Sequence, residues 1–347
     1  MKKRTLTAVL LVAIFAILTA CTNTTDSING ELKTAQPSEV NIKDEDIEAC
    51  VKSFKDESVD IHSLLILKDG KLVHEEYFDD YKKDTNYEVA SVSKSVTSIA
   101  TGIAIDEGLL NLDDKVVSFF PNVEFKEDNE NRDNLKIRHL LGMVTGHRMD
   151  TADVLFSDNF EDIAYNFFEG CGINEKPGEY FVYNNGAPFI LSMIIQEVTE
   201  KSLYDYAKEK IFDPLEIKDT KWSVIEGTTT TAGAWGLSIT PTGMAKIGQM
   251  IINDGTWNGK QIISKEYIAQ ATAKQFDNSM SGEEDWGAGY GFYFWRCDQP
   301  NMFRADGAGG QFILMDPTKK LVMVVTEQTE SMQRSLDILE EFAEKIK

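Results

Sequence analysis

The chain has 347 residues, 42% of them hydrophobic, and its 57 acidic and 35 basic residues give a formal net charge of −22 at pH 7. A surface this acidic repels the phosphates of nucleic acids, so the charge excludes nucleic acid as a partner. About 300 residues beyond the N-terminal segment are many for a single core but suit two interlocked lobes.

The N-terminus has the pattern of an export signal. Three basic residues at positions 2–4 precede an uncharged run that ends directly before Cys21. This looks like a bacterial lipoprotein signal, in which the peptide is cut before a cysteine whose thiol is lipidated. A transmembrane helix is the alternative, but the run is short for a span of about 20 residues. We expect residues 1–20 to be removed and Cys21 to hold the protein at the extracytoplasmic side of the cell membrane.

The segment 21–40 is rich in Thr, Ser, Asn and Asp, which predicts a flexible polar tether. About 20 flexible residues span some 25 Å on average. We therefore expect the folded domain, residues 41–347, to stand just off the membrane.

Hydrophobic patterns predict a sheet built from both ends of this domain. Residues 41–54 have a helical pattern, and two strand-like runs over 63–77 flank Asp69-Gly70, a strong hairpin signal. Residues 311–326 predict a second hairpin and 332–346 a final helix. A sheet made of both hairpins would join segments more than 200 residues apart in the chain.

A serine and a lysine three residues apart provide the first candidate for catalysis. Ser91 and Lys94 lie where an apolar helical run begins, and positions i and i+3 share one face of a helix. Near the positive end of the helix dipole, the Ser91 hydroxyl would lie beside free backbone N–H groups. A lysine buried in a cleft loses its proton readily and can activate a serine as a nucleophile. The alternative is an ordinary solvated helix, because this short pattern is common.

Two later segments favour the catalytic interpretation. Tyr183-Asn-Asn185 precedes an apolar helical run, and the glycine-rich turn from Gly307 to Gln311 leads into an apolar strand. A phenol beside a lysine can relay protons, and an asparagine can hold a substrate or the lysine. Glycines allow a backbone N–H to approach closely enough to complete an oxyanion hole.

In this order and spacing, the motifs resemble those of the serine hydrolases of the β-lactamase and penicillin-binding protein superfamily, in particular its class C-like branch. The resemblance implies an α/β (α+β) fold of the β-lactamase/transpeptidase type: an antiparallel sheet flanked by helices, plus a mostly helical second lobe. The α/β lobe would comprise about 41–120 and 231–347, and the helical lobe about 121–230.

The resemblance also implies roles for individual residues. Ser91 would be the nucleophile, Lys94 its base and Tyr183 the partner that passes a proton to the leaving group. The backbone N–H groups of Ser91 and Ala308 would form the oxyanion hole, and Asn185 would position the substrate or Lys94. An acyl-enzyme would form on Ser91 and be hydrolysed, with no metal or organic cofactor.

One departure from the family pattern concerns the substrate. Carboxylate-binding relatives carry Lys-Thr-Gly, or a histidine variant, where this chain has Ala305-Asp306-Gly307. An aspartate there would repel a carboxylate, at a cost of several kcal/mol. We therefore expect Asp306 and Gly307 to contact a different substrate, an ester, linear amide or peptide, as in the esterase and 6-aminohexanoate-dimer hydrolase branch. The alternatives are a β-lactamase or D-Ala-D-Ala carboxypeptidase, and a non-catalytic relative that binds cell-wall fragments or a protein partner.

Histidine and cysteine patterns predict neither a metal site nor a disulfide network. The four histidines lack paired metal-ligand spacing, although His147 could edge the cleft. Three cysteines follow Cys21, and export permits at most one disulfide among them. We expect them to be buried thiols: Cys50, Cys171 and Cys297.

Overall fold

A computed structural model describes residues 26–28, 30–57, 59–155 and 163–347. The predicted signal peptide, residues 1–20, and Cys21 lie outside the described residues. Among the helices of the described ranges, none combines the length and the apolar character needed to cross a membrane.

The chain forms short and long strands that alternate with helices. The strands are β1 Ser27–Ile28, β2 Glu31–Leu32, β3 Asp60–Lys68, β4 Lys71–Tyr77, β5 Tyr87–Glu88, β6 Lys221–Trp222, β7 Leu237–Ile239, β8 Thr256–Trp257, β9 Lys260–Gln261, β10 Trp295–Arg296, β11 Phe303–Gly307, β12 Gln311–Asp316 and β13 Leu321–Gln328. The helices are α1 Asp44–Asp56, α2 Val92–Asp106, α3 Glu130–Asp133, α4 Ile137–Leu141, α5 Ala152–Leu155, α6 Ile163–Tyr165, α7 Gly186–Thr199, α8 Leu203–Ala207, α9 Pro241–Ile252, α10 Lys265–Thr272 and α11 Met332–Lys345.

The main sheet has six strands in the order β10-β11-β12-β13-β3-β4, and every neighbouring pair is antiparallel. Both predicted hairpins are therefore confirmed, and β13 pairs with β3 to join the two ends of the domain. Asp69 and Gly70 have φ of 51° and 75°, the pair of positive values that a two-residue type I′ hairpin turn requires. The sheet and its helices confirm the predicted fold class.

Helices cover both faces of this sheet. Side chains alternate between the faces of a strand, so Leu64 and Phe312 pack with α1 and α11 on one side. Leu65 and Ile313 face the other core, which contains α2 and α9. Strands buried on both faces have nearly continuous apolar sequences, which explains why β3, β12 and β13 could be predicted.

Helix α2 passes through the centre of the molecule. Every residue from Val92 to Ala104 is buried, as expected for a helix without a solvent-facing side. It contacts β11 and β12 of the sheet, and also α7 and α8, which lie in the 121–230 segment. The first turn of α2 is thereby held between the sheet and the helical segment.

The described part of the predicted tether is folded. Asp26 accepts hydrogen bonds from the Asn258 backbone N–H and from Asn253 Nδ2, at 2.6 and 2.9 Å. Asn258 Oδ1 in turn accepts from the backbone N–H groups of Asp26 and Ser27. Leu32 is buried in the main core, and Pro37–Val40 forms a 3₁₀ turn. The prediction of a flexible tether is thus wrong for the described residues between 26 and 40, because polar residues here bind specific partners on the domain.

The three cysteines after Cys21 are free thiols. Cys50 and Cys297 are buried, as expected, whereas Cys171 is partly buried.

Candidate active site

Ser91 is the N-cap residue of α2, at the end of a tight turn that begins at Val89. Ala90, directly before it, has φ of 45°, a value that non-glycine residues adopt at an energetic cost and that is found often at active sites. The turn is closed by a hydrogen bond from the Val92 N–H to the Val89 carbonyl. It presents the Ser91 side chain at the positive end of the α2 dipole.

Lys94 reaches back along α2 to Ser91. Its Nζ donates hydrogen bonds to Ser91 Oγ at 2.7 Å and to the Ala234 carbonyl at 2.9 Å. The side chain is 1% exposed. Burial lowers the pKa of Lys94 to about 7, against the opposing effect of the carboxylates of Asp150, Asp306 and Glu88. Near neutral pH a large fraction of Lys94 is therefore an uncharged amine, the form that can accept a proton from Ser91.

Tyr183 completes the group predicted from the sequence. The Lys94 Nζ lies 4.9 Å from the centroid of the Tyr183 ring, and the ring stacks on Trp295. Burial raises the pKa of the Tyr183 phenol, whereas a hydrogen bond with Ser91 opposes that shift. Tyr183 therefore keeps its proton at neutral pH and can donate it. The opposite pKa shifts distinguish the two residues, with Lys94 suited to act as base and Tyr183 as acid.

The glycine turn lies against the turn that carries Ser91. A methyl group added to Gly307 would collide with the carbonyl oxygen of Val89, and it would also approach Ala90. Only glycine permits this contact between the end of β11 and the turn that carries Ser91. The next residue, Ala308, is exposed, and within the described ranges neither its N–H nor that of Ser91 has a hydrogen-bond partner. Both N–H groups are available for an oxyanion.

Asn185 lies one residue before α7, and its partner is Asp150. The Asn185 backbone N–H donates to Asp150 Oδ1 at 2.7 Å, and Asn185 Nδ2 donates to Asp150 Oδ2 at 2.5 Å. The hydrogen bonds of Lys94 go instead to Ser91 and Ala234. Asn185 was expected to position either the substrate or Lys94. Because Lys94 is bonded to other residues, contact with the substrate is the remaining role.

Asp306 does not present a free negative charge, which corrects the sequence-based expectation. Its Oδ2 accepts a hydrogen bond from Arg304 Nε at 2.8 Å, and the two side chains are 6% and 0% exposed. Residues i and i+2 of a strand point to the same face, so β11 brings this pair together. Desolvation raises the pKa of Asp306, whereas the Arg304 charge opposes the rise. Ala305, on the other face, is buried.

A buried cluster behind β11 has the donor types of a metal site. Ligand atoms of Asp285, Cys297 and Glu340 lie within 4.8 Å of one another. Arg304 Nη1 lies 3.9 Å from Asp285 Oδ1 and 3.8 Å from Cys297 Sγ. Burial raises the pKa of Glu340 to about 8 and also raises that of the Cys297 thiol. Protonated ligands beside a guanidinium do not favour a metal cation, so these residues do not fit one.

Sequence reasoning missed two contributors to the site and overrated another. The Ala234 carbonyl holds Lys94, but a backbone acceptor leaves no trace in residue type. Asp150, which accepts hydrogen bonds from Asn185, was not predicted either, because the two residues are far apart in the chain. His147 does not edge the cleft: it is buried, and its ring nitrogens bond to Thr145 and Phe167.

The sheet, the central helix α2 and the group of Ser91, Lys94 and Tyr183 together define the fold class of the predicted superfamily. The family model for beta-lactamase matches residues 49–343, so the chain belongs to the beta-lactamase family.

Relatives and solved structures agree with this assignment. The chain is 32% identical to Protein flp of Staphylococcus aureus strain MW2 over 170 residues, which are 46% of this chain and 34% of that protein. The match thus spans about a third of the relative. A Bacillus anthracis structure assigned as a 6-aminohexanoate-dimer hydrolase has a TM-score of 0.67 at 22% identity, covering 83% of this chain and 80% of that one. A penicillin-binding protein homologue from Pyrococcus abyssi has a TM-score of 0.68 at 23% identity, covering 87% and 77%.

Proposed function

We propose that this protein is a serine hydrolase that cleaves an ester, amide or peptide bond through an acyl-enzyme on Ser91. The observation that carries the proposal is the 2.7 Å hydrogen bond between Ser91 Oγ and a lysine whose pKa is lowered to about 7. The neutral Lys94 amine takes the proton as Ser91 Oγ bonds to the carbonyl carbon. The N–H groups of Ser91 and Ala308 stabilise the resulting oxyanion.

The remaining steps return each group to its starting state. The carbon–oxygen or carbon–nitrogen bond to the leaving group breaks as Tyr183 donates a proton to that group, and Lys94 re-protonates the phenol. Water then attacks the acyl-enzyme with Lys94 as base, releasing the acid and regenerating the Ser91 hydroxyl. Every step uses protein groups and water.

Two observations favour an uncharged ester or linear amide over a β-lactam or a D-Ala-D-Ala peptide. Ala305 stands in the place of the lysine of Lys-Thr-Gly, and the nearby Arg304 is paired with Asp306. A cavity of about 230 Å³ is lined by Ala232 and Trp235, which flank Ala234 in the chain, and by Phe189, Ser223, Val224, Ile225 and Glu226. Its size and mostly apolar lining suit a short acyl chain.

A comparison of substrate classes tests the proposal. We expect the purified protein to hydrolyse p-nitrophenyl butyrate with a kcat/KM at least tenfold above those for a chromogenic cephalosporin and a D-Ala-D-Ala peptide. Equal or faster turnover of the cephalosporin would support the β-lactamase alternative, and faster release of D-alanine the carboxypeptidase. If none of the three compounds is turned over, the non-catalytic alternative takes precedence.

For localisation, we infer that Cys21 is lipidated and holds the domain at the extracytoplasmic membrane surface. Because Asp26 is bound to the domain, only about five residues would link the lipidated Cys21 to the domain. Five extended residues reach at most roughly 17 Å. Radiolabelled fatty acid should be incorporated into the unmodified protein and not into Cys21→Ala, whose hydrolase activity should be unchanged. Equal labelling of Cys21→Ala, or no labelling of the unmodified protein, would contradict lipid anchoring at Cys21.

A further inference from the structure

A cavity of about 540 Å³ lies at the end of the sheet where the Asp69-Gly70 turn meets the turn before β13. The Asp69 N–H donates a hydrogen bond to the Lys320 carbonyl at 3.0 Å and joins the two turns. Strand β12 separates this end of the sheet from the glycine turn beside Ser91, and its six residues span roughly 20 Å. The cavity is therefore separate from the proposed active site.

The cavity has cations in its wall that lack an acidic partner. These cations are Lys33, Lys71 and Lys320. Across the described part of the chain, none of the three forms an ion pair with a carboxylate. Two acids of the same wall are already matched, because Asp69 is paired with Lys68 at 2.9 Å. Asp254 is likewise paired with Lys265 at 2.7 Å. This part of an otherwise acidic protein, with a formal charge of −22, thus has unpaired positive charge and favours an anion.

A buried amide in the wall has an unused acceptor. Gln249 is 1% exposed and lines the cavity. The Asp26 carboxylate can only accept hydrogen bonds, so Asn253 donates to it through Nδ2 at 2.9 Å and turns its Oδ1 to Gln249. Gln249 Nε2 donates to this Oδ1 at 3.0 Å, which leaves Gln249 Oε1 without a partner among the described residues. Because buried polar atoms are nearly always hydrogen-bonded, Oε1 indicates a donor inside the cavity, such as a ligand hydroxyl.

The position of the cavity relates it to the membrane. Asp26 is part of the cavity wall and follows Cys21 by five residues, a segment that reaches at most roughly 17 Å. With Cys21 lipidated as proposed, the cavity lies within this distance of the anchor. Anionic lipids place phosphate groups at the membrane surface. A glycerol phosphate head group combines the anion that the lysines favour with the hydroxyl donors that Gln249 lacks.

We propose that this cavity binds a glycerol phosphate group, which the head group of an anionic membrane lipid supplies. The three lysines donate to the phosphate oxygens, and Gln249 Oε1 accepts a hydrogen bond from a glycerol hydroxyl. The binding is non-covalent and does not involve Ser91, so the inference goes beyond the proposed function. Bound in this way, one end of the sheet faces the membrane and the glycine turn at the other end faces away from it.

Calorimetric titration of the purified protein with sn-glycerol 3-phosphate at low ionic strength tests the phosphate contacts. We expect saturable binding, with a Kd about tenfold higher in Lys71→Gln/Lys320→Gln because two charge pairs near the surface are lost. Lys52→Gln removes a cation from α1, on the other face of the sheet, and should leave the Kd unchanged. Absence of saturable binding, or an equal Kd in the double variant, overturns the site.

Inorganic phosphate tests the hydroxyl contact, because it lacks the glycerol group. The unmodified protein should bind glycerol phosphate more tightly than inorganic phosphate. Gln249→Met has an apolar side chain of similar length and should lose this preference. Equal Kd values for the two compounds in the unmodified protein, or a preference that persists in folded Gln249→Met, overturn the assignment of Gln249. The comparison in the unmodified protein applies even if the variant does not fold.

Vesicles test the source of the ligand. We expect Lys71 and Lys320 of the protein reconstituted in phosphatidylcholine vesicles to be protected from acetylation when phosphatidylglycerol is added, whereas Lys52 reacts equally in both. Protection by soluble glycerol phosphate but not by phosphatidylglycerol overturns the membrane source and supports the cavity as a site for a soluble ligand. Hydrolysis of p-nitrophenyl butyrate should be unchanged in Lys71→Gln/Lys320→Gln. Intact glycerol phosphate binding in a protein that hydrolyses no substrate contradicts the proposed function alone.

Discussion

The Ser91→Ala protein should fold normally and lose hydrolysis of every substrate. The proposed cycle requires an acyl group on Ser91 Oγ. Among the described side chains, only that of Ser91 accepts a hydrogen bond from Lys94, at 2.7 Å. Loss of a nucleophile of this kind costs about six decades in kcat. The hydroxyl makes little contribution to packing, and Lys94 keeps its hydrogen bond to the Ala234 carbonyl. Turnover and circular dichroism measure the two halves of this prediction.

Covalent labelling identifies the nucleophile independently of turnover. A fluorophosphonate should add one group per molecule, mapped by mass spectrometry to Ser91, and none to Ser91→Ala. Ser95→Ala is a matched control on the same helix, since Ser95 Oγ is buried and donates to the Tyr293 carbonyl. The Ser95→Ala protein should therefore be labelled by the fluorophosphonate as the unmodified protein is. Labelling at another serine, or full turnover by Ser91→Ala, would remove the nucleophile assignment.

The fold was predictable where local pattern and burial agree. Asp69-Gly70 predicted a type I′ turn, and the structure has the positive φ values of that turn. The strands buried on both faces, β3, β12 and β13, gave the apolar runs at 64–67, 312–315 and 321–325. The flexible tether was predicted wrongly because composition does not reveal partners: Asp26 and Ser27 are polar, yet they bind Asn258 some 230 residues away. A sequence pattern contains no information about such distant polar contacts.

The group formed by Ser91, Lys94 and Tyr183 was likewise predictable in part. Ser91 and Lys94 share a helix, so their spacing fixed their contact, and the resemblance supplied Tyr183. The charge state of Asp306 was not predictable from residue type, because it depends on the ion pair with Arg304 and on burial. Arg304 stands two positions earlier on β11, and only the strand assignment shows that the pair shares a face. The sequence thus predicted the contact between Ser91 and Lys94 better than it predicted the charges around these residues.

The lowered pKa of Lys94 has a consequence for stability as well as for activity. Lys94 is protonated in the unfolded chain up to about pH 10.5, but in the folded protein it loses its proton near pH 7. Between these values the unfolded state binds more protons, so stability rises with pH across this window. The burial of Lys94 therefore destabilises the fold at neutral pH, and it provides the amine that acts as base in the proposed mechanism.

Lys94→Met and Tyr183→Phe should each lower kcat by about two to four decades, the usual loss for a general base or acid. In the unmodified protein, kcat/KM should rise with pH through about 7, because Lys94 must be neutral to accept the Ser91 proton. Lys94→Met should lose this ascending limb of kcat/KM. It should also unfold at a higher temperature at pH 7, because the substitution removes a buried amine that is partly charged. Stopped-flow turnover and thermal denaturation measure both effects.

The double variant tests whether the two residues share one proton path. Lys94 takes the proton of Ser91 and Tyr183 delivers one to the leaving group, so removing either breaks the same path. The loss in Lys94→Met/Tyr183→Phe should therefore be far smaller than the product of the single losses. Trp257→Phe, at a buried indole in β8, serves as a control and should retain the limb at pH 7. Multiplicative losses, or an ascending limb that persists in Lys94→Met, would show that Lys94 is not the base and that the relay is wrong.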